Sequence, residues 1–217
     1  MAQNLEKGFL ITFEGPEGSG KSTQSRRLFH DLLRDGFETV ITSEPGGTAL
    51  GKYIRDILLY KKDLHLSPYA ELFLFEADRS QHIEELIKPA LADKKIVICD
   101  RFSTATLAYQ GYGLDMDLQN IIKVDSMARA GVEPDLIILL DVDPDIGLHR
   151  ATIEHSADNM ELRAKKFHHR VREGYLKIAG ENPDKIHVFE SAGDISAIYN
   201  LIKKDVYRFI EKYKRAK

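Results

Sequence analysis

The sequence predicts an α/β fold in which a doubly wound, five-stranded parallel sheet carries helices on both faces. Short β-rich apolar runs alternate with longer helical patterns, which is the order expected of parallel strands joined by helical crossovers. The runs are almost wholly apolar instead of alternating, as expected of strands that are buried on both faces. A glycine-rich segment also separates the first strand from the first helix. Ligands of such sheets bind at the carboxyl ends of the strands.

The elements are predicted in chain order within one domain that spans residues 1–217. Strands are predicted at 9–14, 39–43, 95–100, 136–141 and 186–189. Helices are predicted at 21–35, 49–59, 67–92, 118–130, 145–153, 162–179 and 195–213. Gly36 and Gly131 end the first and fourth helices, and Pro89 predicts a bend in the third.

Composition restricts the class of partner. The hydrophobic fraction of 43% and charged fraction of 30% are ordinary globular values, and a net charge of -3 provides no global basic field for nucleic acid. No apolar stretch approaches the roughly 18 residues of a membrane span. We therefore expect a cytoplasmic protein that binds small molecules and neither nucleic acid nor membrane. Cys99, the lone cysteine, lies in an apolar run and is predicted to be a buried strand residue instead of a nucleophile.

The segment after the first strand matches the phosphate-loop pattern G-x-x-x-x-G-K-[ST] in full. Its glycines permit positive φ, so that backbone N–H groups turn inward, and the following helix adds the positive end of its dipole. Lys21 is then expected to reach the β- and γ-phosphates, and Ser22 to bind Mg²⁺. An ordinary glycine turn is the alternative. The residues predicted to hold the ATP phosphates are Gly15, Pro16, Glu17, Gly18, Ser19, Gly20, Lys21, Ser22 and Thr23.

Two further groups of residues follow the second strand. Residues 44–48, with the sequence EPGGT, precede a helix that carries Arg55, and a simple turn capped by Thr48 is the alternative explanation. Phe75 and Arg79 are four residues apart in the third predicted helix and so share one face. An aromatic ring beside a guanidinium suits a base that is stacked and hydrogen-bonded. Phe75 taken alone also fits a place in the core.

The third strand ends in Asp100 and Arg101. Asp100 could hold Mg²⁺ through water and Arg101 could contact a phosphate, whereas a salt bridge at the strand end is the alternative. Gln110 follows after a helical stretch and offers both a donor and an acceptor to the edge of a base.

These motifs together resemble the thymidylate kinase family, bacterial type, whose members are P-loop nucleoside monophosphate kinases that phosphorylate dTMP with ATP. The resemblance covers about residues 9–213 and rests on linked motifs in the family's order. After the phosphate loop come EPGGT at 44–48, FEADR at 75–79, DRF at 100–102 with LAYQG at 107–111, PDL with LLDV at 134–142, and RVREGY at 170–175.

The resemblance implies a dTMP site, with Mg²⁺ and ATP as the other components. Arg55 and Arg101 would clamp the acceptor phosphate, Glu17 would approach the sugar 3′-hydroxyl, and Tyr109 would lie under the deoxyribose. For the base, Phe75 would stack on thymine, Arg79 would bond its O4, and Gln110 would bond the ring. The family is usually homodimeric through the long third helix, here 67–92. Lys21, Arg101 and Arg150 are the predicted catalytic residues, and Ser22 and Asp100 are the predicted metal ligands.

The predicted lid, residues 150–162, departs from the family pattern. An arginine that neutralises the transferring phosphoryl group comes from the phosphate loop or from the lid, and this loop has Gly18 at the relevant place. Arginines are expected near 152, 154 and 159, where this chain has Thr152, Glu154 and Asn159. We hypothesise that Arg150, which the family pattern retains, takes the role.

Other departures leave alternatives open. Glu76 stands where a small residue is usual and Ala105 where serines are common, so a kinase for another nucleoside monophosphate is an alternative. A nucleotide-binding sensor or scaffold with little catalysis is a second. His155, His168 and His169 suggest a metal site, but they lack acidic or cysteine partners at ligand spacing and are predicted to be solvated.

Overall fold

The computed structural model describes residues 3, 5–154 and 157–213, and at its centre is a parallel sheet of five strands in the order β2-β3-β1-β4-β5. The strands are β1 (Phe9–Glu14), β2 (Thr39–Ser43), β3 (Ile96–Asp100), β4 (Leu136–Asp141) and β5 (Ile186–Glu190). Every neighbouring pair is parallel. The predicted doubly wound sheet is confirmed. Because β1 lies between β3 and β4, the carboxyl ends of these three strands meet where the strand order reverses, which is where ligands bind in such sheets.

Helices connect the strands in chain order. They are α1 (Lys21–Arg34), α2 (Ala49–Tyr60), α3 (Pro68–His82), α4 (Lys88–Ala92), α5 (Ser103–Thr106), α6 (Leu118–Arg129), α7 (Pro144–Glu154), α8 (Lys165–Glu181) and α9 (Ile195–Glu211). Two π-helical segments, Ile83–Ile87 and Leu107–Gly113, continue α3 and α5 respectively. Within the described residues, no helix has the length and apolar character that crossing a membrane requires.

The three central strands, β3, β1 and β4, are buried on both faces, which explains their apolar sequences, whereas the edge strands β2 and β5 are partly exposed. In β1, Phe9, Ile11 and Phe13 pack in one cluster with α1 and α9, while Leu10 packs in another with Ile83–Ile87 and α4. Side chains of a strand alternate between faces, so both faces of β1 must be apolar. Cys99 in β3 is fully buried, as predicted, and burial raises the pKa of its thiol well above the ordinary value.

Three helix predictions need correction. The helix predicted at 67–92 is interrupted by Ile83–Ile87, because Pro89 cannot donate a backbone hydrogen bond and a π-helical turn absorbs the defect. The helix predicted from 162 begins at Lys165, since the Asp158 carboxylate accepts the N–H groups of Met160 and Glu161 and holds a turn there. The helical stretch over 103–113 was not among the predicted helices, and most of it is π-helical.

Candidate functional site

The phosphate loop spans the gap between β1 and α1, as the sequence predicts. Gly15, Gly18 and Gly20 have φ of 140°, 61° and 88°, which are left-handed values that favour glycine. A Cβ at Gly18 would lie 1.9 Å from the carbonyl oxygen of Gly147 in α7, so no side chain fits at this point of the loop. An arginine cannot be supplied from position 18. Residues Glu17 through Thr23 line a cavity of about 870 Å³.

Lys21 lies at the base of this loop and is only 6% exposed. Its ammonium donates to the carbonyl oxygens of Gly15 (3.0 Å) and Pro16 (2.7 Å). Burial, together with the nearby Arg101 charge, lowers the pKa of Lys21 to about 8, against the opposing effect of Glu17. The Lys21 ammonium also donates to Ser19 Oγ at 3.3 Å. A cation whose hydrogen-bond partners are all neutral can exchange them for phosphate oxygens without leaving a carboxylate unpaired.

Ser22 and Asp100 meet at the wall of the same cavity. The Ser22 hydroxyl donates to Oδ2 of Asp100 at 2.5 Å, and both residues line the cavity. A hydroxyl and a carboxylate are hard oxygen ligands of the kind Mg²⁺ takes in phosphoryl-transfer sites. The two residues predicted as metal ligands are therefore brought together, and their donor chemistry fits the ion.

A second cavity, of about 100 Å³, lies beside the first. After the ligands that the sequence predicts for them, the larger cavity is called the donor cavity and the smaller one the acceptor cavity. The seven residues predicted to contact dTMP all line the acceptor cavity, namely Glu17, Arg55, Phe75, Arg79, Arg101, Tyr109 and Gln110. They come from the phosphate loop, α2, α3, the end of β3 and Leu107–Gly113. The residues that line both cavities are Glu17, Glu44, Arg55, Arg101 and Asp158, so the shared wall carries two arginines among three acidic residues.

Arg101 is held in the shared wall by a left-handed backbone conformation and by several side-chain contacts. Its φ is 69°, and its N–H donates to Phe13 O at 2.9 Å. The guanidinium donates to Gly15 O (3.1 Å) and to Glu17 Oε2 (2.8 Å), and it stacks over the Tyr109 ring at 4.8 Å from the centroid. This side chain therefore touches both the phosphate loop and the acceptor cavity.

Glu17 is ionised in this setting. Burial would raise the pKa of its carboxyl, but Arg101 and Lys21 outweigh burial and lower the pKa to about 2. Its other oxygen accepts from the Tyr109 hydroxyl at 2.7 Å. A fixed carboxylate of this kind is an acceptor for a sugar hydroxyl.

Arg79 lies beneath the acceptor cavity among three buried carboxylates. It is 2% exposed, with Nε donating to Glu44 (2.9 Å) and Nη1 to Glu76 (2.6 Å) and Asp125 (3.0 Å). Nη1 also donates to Thr106 Oγ1 at 3.0 Å. Burial alone would lower the pKa of Arg79, but the carboxylates outweigh burial and raise it above the usual value. Buried Glu76 has its pKa raised to about 7, and its Oε2 has no partner within the described residues.

The remaining predicted residues show mixed roles. Thr48 caps α2 by accepting from Gly51 N at 2.9 Å, so the helix-cap reading of residues 44–48 is confirmed, yet Glu44 also lines both cavities. Phe75 lines the acceptor cavity and also packs against an apolar cluster, so it belongs to both site and core. Gln110 is 2% exposed and donates to Glu71 Oε1 at 2.9 Å.

Arg150 lies at the wall of the donor cavity, near the end of α7. In this structure its guanidinium donates to Ser191 O (2.9 Å) and Ala192 O (3.2 Å) in the loop after β5. Acting on a transferring phosphoryl group would require these two bonds to be exchanged. The predicted lid, 150–162, consists of the end of α7 and a turn-rich stretch from 157 onward, and His155 lies outside the described residues.

Glu14 is a buried acid that the sequence reasoning missed. It ends β1 directly before the phosphate loop and is fully buried. One oxygen accepts from Phe102 N at 2.8 Å and the other from the Tyr175 hydroxyl at 3.1 Å, while Tyr175 in turn accepts from Arg101 at 3.3 Å. Burial is the largest influence and raises the pKa of Glu14 to about 7. A charged residue that continues an apolar strand was the available signal.

We expect Glu14→Gln to flatten the pH dependence of stability. The folded protein holds the Glu14 proton more tightly than the unfolded chain, whose pKa is 4.5, so this stabilisation is complete below pH 4.5 and is lost as pH rises through about 7. The loss is on the order of 3 kcal/mol. Thermal unfolding should show the variant more stable than wild type at pH 8 and little changed at pH 4. Parallel pH profiles of the two proteins would contradict the assignment.

The expectation that the histidines are solvated is wrong for His168. It is 2% exposed, because α8 presents it to the interior with Val171 and Tyr175, and burial lowers its pKa. The spacing of 168, 171 and 175 was the signal that could have shown this. His169 is exposed.

Among the described residues, Glu44 at the cavity wall also belongs to a group of potential metal ligands. Glu44, His82 and Cys99 bring donor atoms within 4.8 Å of one another. Glu44 already pairs with Arg79, and the two ring nitrogens of His82 lie 2.9 Å from Glu44 and 2.7 Å from Thr42. These pairs satisfy the group without an ion.

Comparison with known proteins gives a consistent family. The family model described as thymidylate kinase matches residues 13–202. A thymidylate kinase from Solidesulfovibrio magneticus is 45% identical over 196 residues, covering 87% of this chain and 94% of the relative. Another from Dehalococcoides mccartyi is 46% identical over 197 residues, covering 91% and 94%.

A solved structure agrees with these sequence relatives. The crystal structure of thymidylate kinase from Ehrlichia chaffeensis superposes with a TM-score of 0.75 at 36% sequence identity. The match covers 92% of this chain and 98% of that one. The similarity therefore extends over both cavities and the elements that form them.

Proposed function

The chain belongs to the thymidylate kinase family, and from this premise we propose how its two cavities divide the transfer of the γ-phosphoryl group of ATP to dTMP. The product is dTDP. The observation that carries the proposal is the gathering of all seven predicted acceptor residues around one cavity that shares Glu17, Arg55 and Arg101 with the phosphate-loop cavity. Two phosphorylated ligands would there meet with their reactive ends at a common wall that presents Arg55 and Arg101.

The donor cavity binds ATP. The residues that hold its phosphates are Gly15, Pro16, Glu17, Gly18, Ser19, Gly20, Lys21, Ser22 and Thr23, with Lys21 exchanging its loop carbonyls for β- and γ-phosphate oxygens. Ser22 and Asp100 would hold Mg²⁺, which supplies charge neutralisation at these phosphates. The cavity volume of about 870 Å³ is in the range of a nucleotide-sized site.

The acceptor cavity binds dTMP through charge at one end and shape at the other. Arg55 and Arg101 take the phosphate, since the guanidinium fork matches phosphate oxygens bidentately. Ionised Glu17 accepts from the sugar 3′-hydroxyl. The Tyr109 ring lies under the deoxyribose, where it would oppose a 2′-hydroxyl.

The base end of the cavity recognises thymine. Phe75 stacks on the ring, and Arg79 donates to O4. The bonds from Arg79 to its carboxylates use Nε and Nη1, and this charged cluster fixes the guanidinium plane. Gln110, itself oriented by Glu71, bonds the base edge.

The transfer needs positioning and charge more than proton removal. The dTMP phosphate is already an anion at neutral pH, so it attacks without a strong general base. Repulsion between the two phosphates is offset by Lys21, Arg55 and Arg101. Exclusion of water from the shared wall prevents hydrolysis of ATP in place of transfer.

A coupled assay of ADP release tests the function. The enzyme is expected to release ADP rapidly with dTMP, much more slowly with dUMP, dGMP or dCMP, and slowest with no acceptor. Rapid release with a different monophosphate would favour a kinase of another specificity. Tight ATP binding without acceptor-dependent release would favour a nucleotide sensor.

Arg150 remains our proposal for the lid arginine. Replacing it by alanine is expected to lower kcat by about 10²-fold or more while changing the KM for dTMP little, because its charge acts on the transferring group and not on the acceptor. Steady-state kinetics with either substrate varied provides the measurement. An unchanged kcat would reject the role and leave Arg150 as a residue that fixes the loop after β5.

We propose that the enzyme is a homodimer that joins through the helices of 67–92. Support comes from Tyr69 and Phe73, which are one turn apart on α3 and are 46% and 54% exposed. Ile122, 43% exposed, lies on α6, the helix that packs against α3. A cytoplasmic location is proposed on the ground that ATP and dTMP are cytoplasmic metabolites.

A further inference from the structure

The carboxyl end of α2 receives its cap from a residue far along the chain. Asn159 N donates to Leu59 O at 3.0 Å, and the Asn159 side-chain amide donates to Leu58 O (3.2 Å) and Lys61 O (3.3 Å). The last carbonyl groups of a helix have no partners inside the helix, so these donors satisfy groups that would otherwise need water. Asn159 therefore binds residues 158–163, here named the wall segment, to the end of α2.

Apolar contact and local turn geometry reinforce this attachment. Met160 is 5% exposed and packs with Ile54, Leu58 and Leu59 of α2. Asp158 accepts from Met160 N (2.8 Å) and Glu161 N (3.0 Å), while its own N–H donates to Glu161 Oε2 at 3.1 Å. The turn that carries Asn159 is thus closed by reciprocal bonds, as in a capping box.

The other end of the wall segment is attached to the base end of the acceptor cavity. Arg163 donates to Glu71 Oε2 and stacks over Phe167 at 4.7 Å from the centroid. The second oxygen of Glu71 accepts from Gln110 at 2.9 Å. The segment is therefore tied both to α2, which carries Arg55, and to a residue proposed to read the base.

Two side chains of the wall segment line the acceptor cavity itself, Asp158 and Met160. Asp158 also lines the donor cavity, as does Glu161, whereas Met160 lines the acceptor cavity alone. They flank Asn159 on both sides, so the position of Asn159 determines where they stand. We propose that Asn159 is a positioning residue for the dTMP site, holding Asp158 and Met160 in place as one wall of the acceptor cavity. The inference rests on the proposed function. It assigns position 159 mainly to acceptor binding, because Met160, which packs beside Asn159 against α2, lines the acceptor cavity and not the donor cavity.

Asn159→Asp tests this inference because it keeps the size of the side chain. The substitution removes the amide donor and places a carboxylate against Leu58 O and Lys61 O. We expect the KM for dTMP to rise about 10-fold, the loss expected from one to two hydrogen bonds, while the KM for ATP changes less than about 2-fold. Amide hydrogen exchange of the wall segment should become faster in the variant.

Asn182→Asp is the matched control. Asn182 likewise donates its side-chain amide to a helix-end carbonyl, Ile178 O at 2.9 Å in α8, but it does not line the acceptor cavity. The Asn182→Asp variant should leave the KM for dTMP and the KM for ATP unchanged. An Asn159→Asp enzyme with unchanged KM for dTMP, or with equal rises for both substrates, would overturn the inference. Wild-type enzyme without dTMP-dependent ADP release would instead contradict the proposed function, and it is measured first.

Discussion

Arg101→Ala is expected to lower kcat/KM for dTMP by about 10³-fold, because Arg101 is the cation that touches both the phosphate loop and the acceptor cavity. In the variant, the Glu17 carboxylate loses its 2.8 Å partner and faces the incoming phosphate with only the Tyr109 hydroxyl and the charge of Lys21 to offset its own charge. Both effects oppose the approach of two phosphates. Steady-state kinetics with dTMP varied at saturating ATP provides the measurement.

Arg101→Lys separates charge from geometry. Lysine keeps the positive charge but lacks the planar fork that binds two oxygens, so this variant should recover only part of the lost activity. Arg34→Ala, at a 64% exposed position on α1, controls for the change in net charge and should remain fully active. Full activity of Arg101→Lys would show that bidentate binding is unimportant, and full activity of Arg101→Ala would refute the acceptor clamp.

Lys21→Met is expected to lower kcat by at least about 10²-fold with dTMP affinity little changed. The substitution keeps the length of the side chain but removes the charge that serves the β- and γ-phosphates. Circular dichroism checks that the loop change leaves the fold intact. Lys204→Met, at an exposed position of α9 that lies outside both cavities and outside residues 67–92, is the control of matched chemistry. A variant with normal kcat would mean that Lys21 only stabilises the loop through its hydrogen bonds to the carbonyl oxygens of Gly15 and Pro16.

Much of the fold could be predicted because buried strands can be recognised in the sequence as short apolar runs. Burial on both faces makes β1, β3 and β4 nearly continuous apolar runs, and the five predicted strands match the observed ones to within a residue at each end. The helical stretch over 103–113 was harder to predict, because Leu107–Gly113 is π-helical and lacks the α-helical period of 3.6 residues. Gly111 and Gly113 also suggest breaks, although they leave room for Leu118 and Phe167.

The candidate site was predictable where residue types are tied to a motif. The phosphate loop and the seven acceptor residues fall around their cavities because each lies at a strand end or on one helix face. Glu14 and Asn159 belong to no such motif, although the acid at the end of an apolar strand is a sequence signal for the burial of Glu14. Their roles depend on partners 88 and 101 residues away, Phe102 and Leu58, which only the folded chain brings near.

The most direct test of the account is the binding of a molecule in which adenosine and thymidine are joined 5′ to 5′ by a polyphosphate chain. If two nucleotides meet end to end across Arg101, calorimetry should show this molecule binding at least about 10²-fold more tightly than ATP or dTMP alone, since one ligand fills both cavities. Arg101→Ala should remove most of that gain. Affinity no greater than that of ATP alone would contradict the central claim that the two cavities form one transfer site.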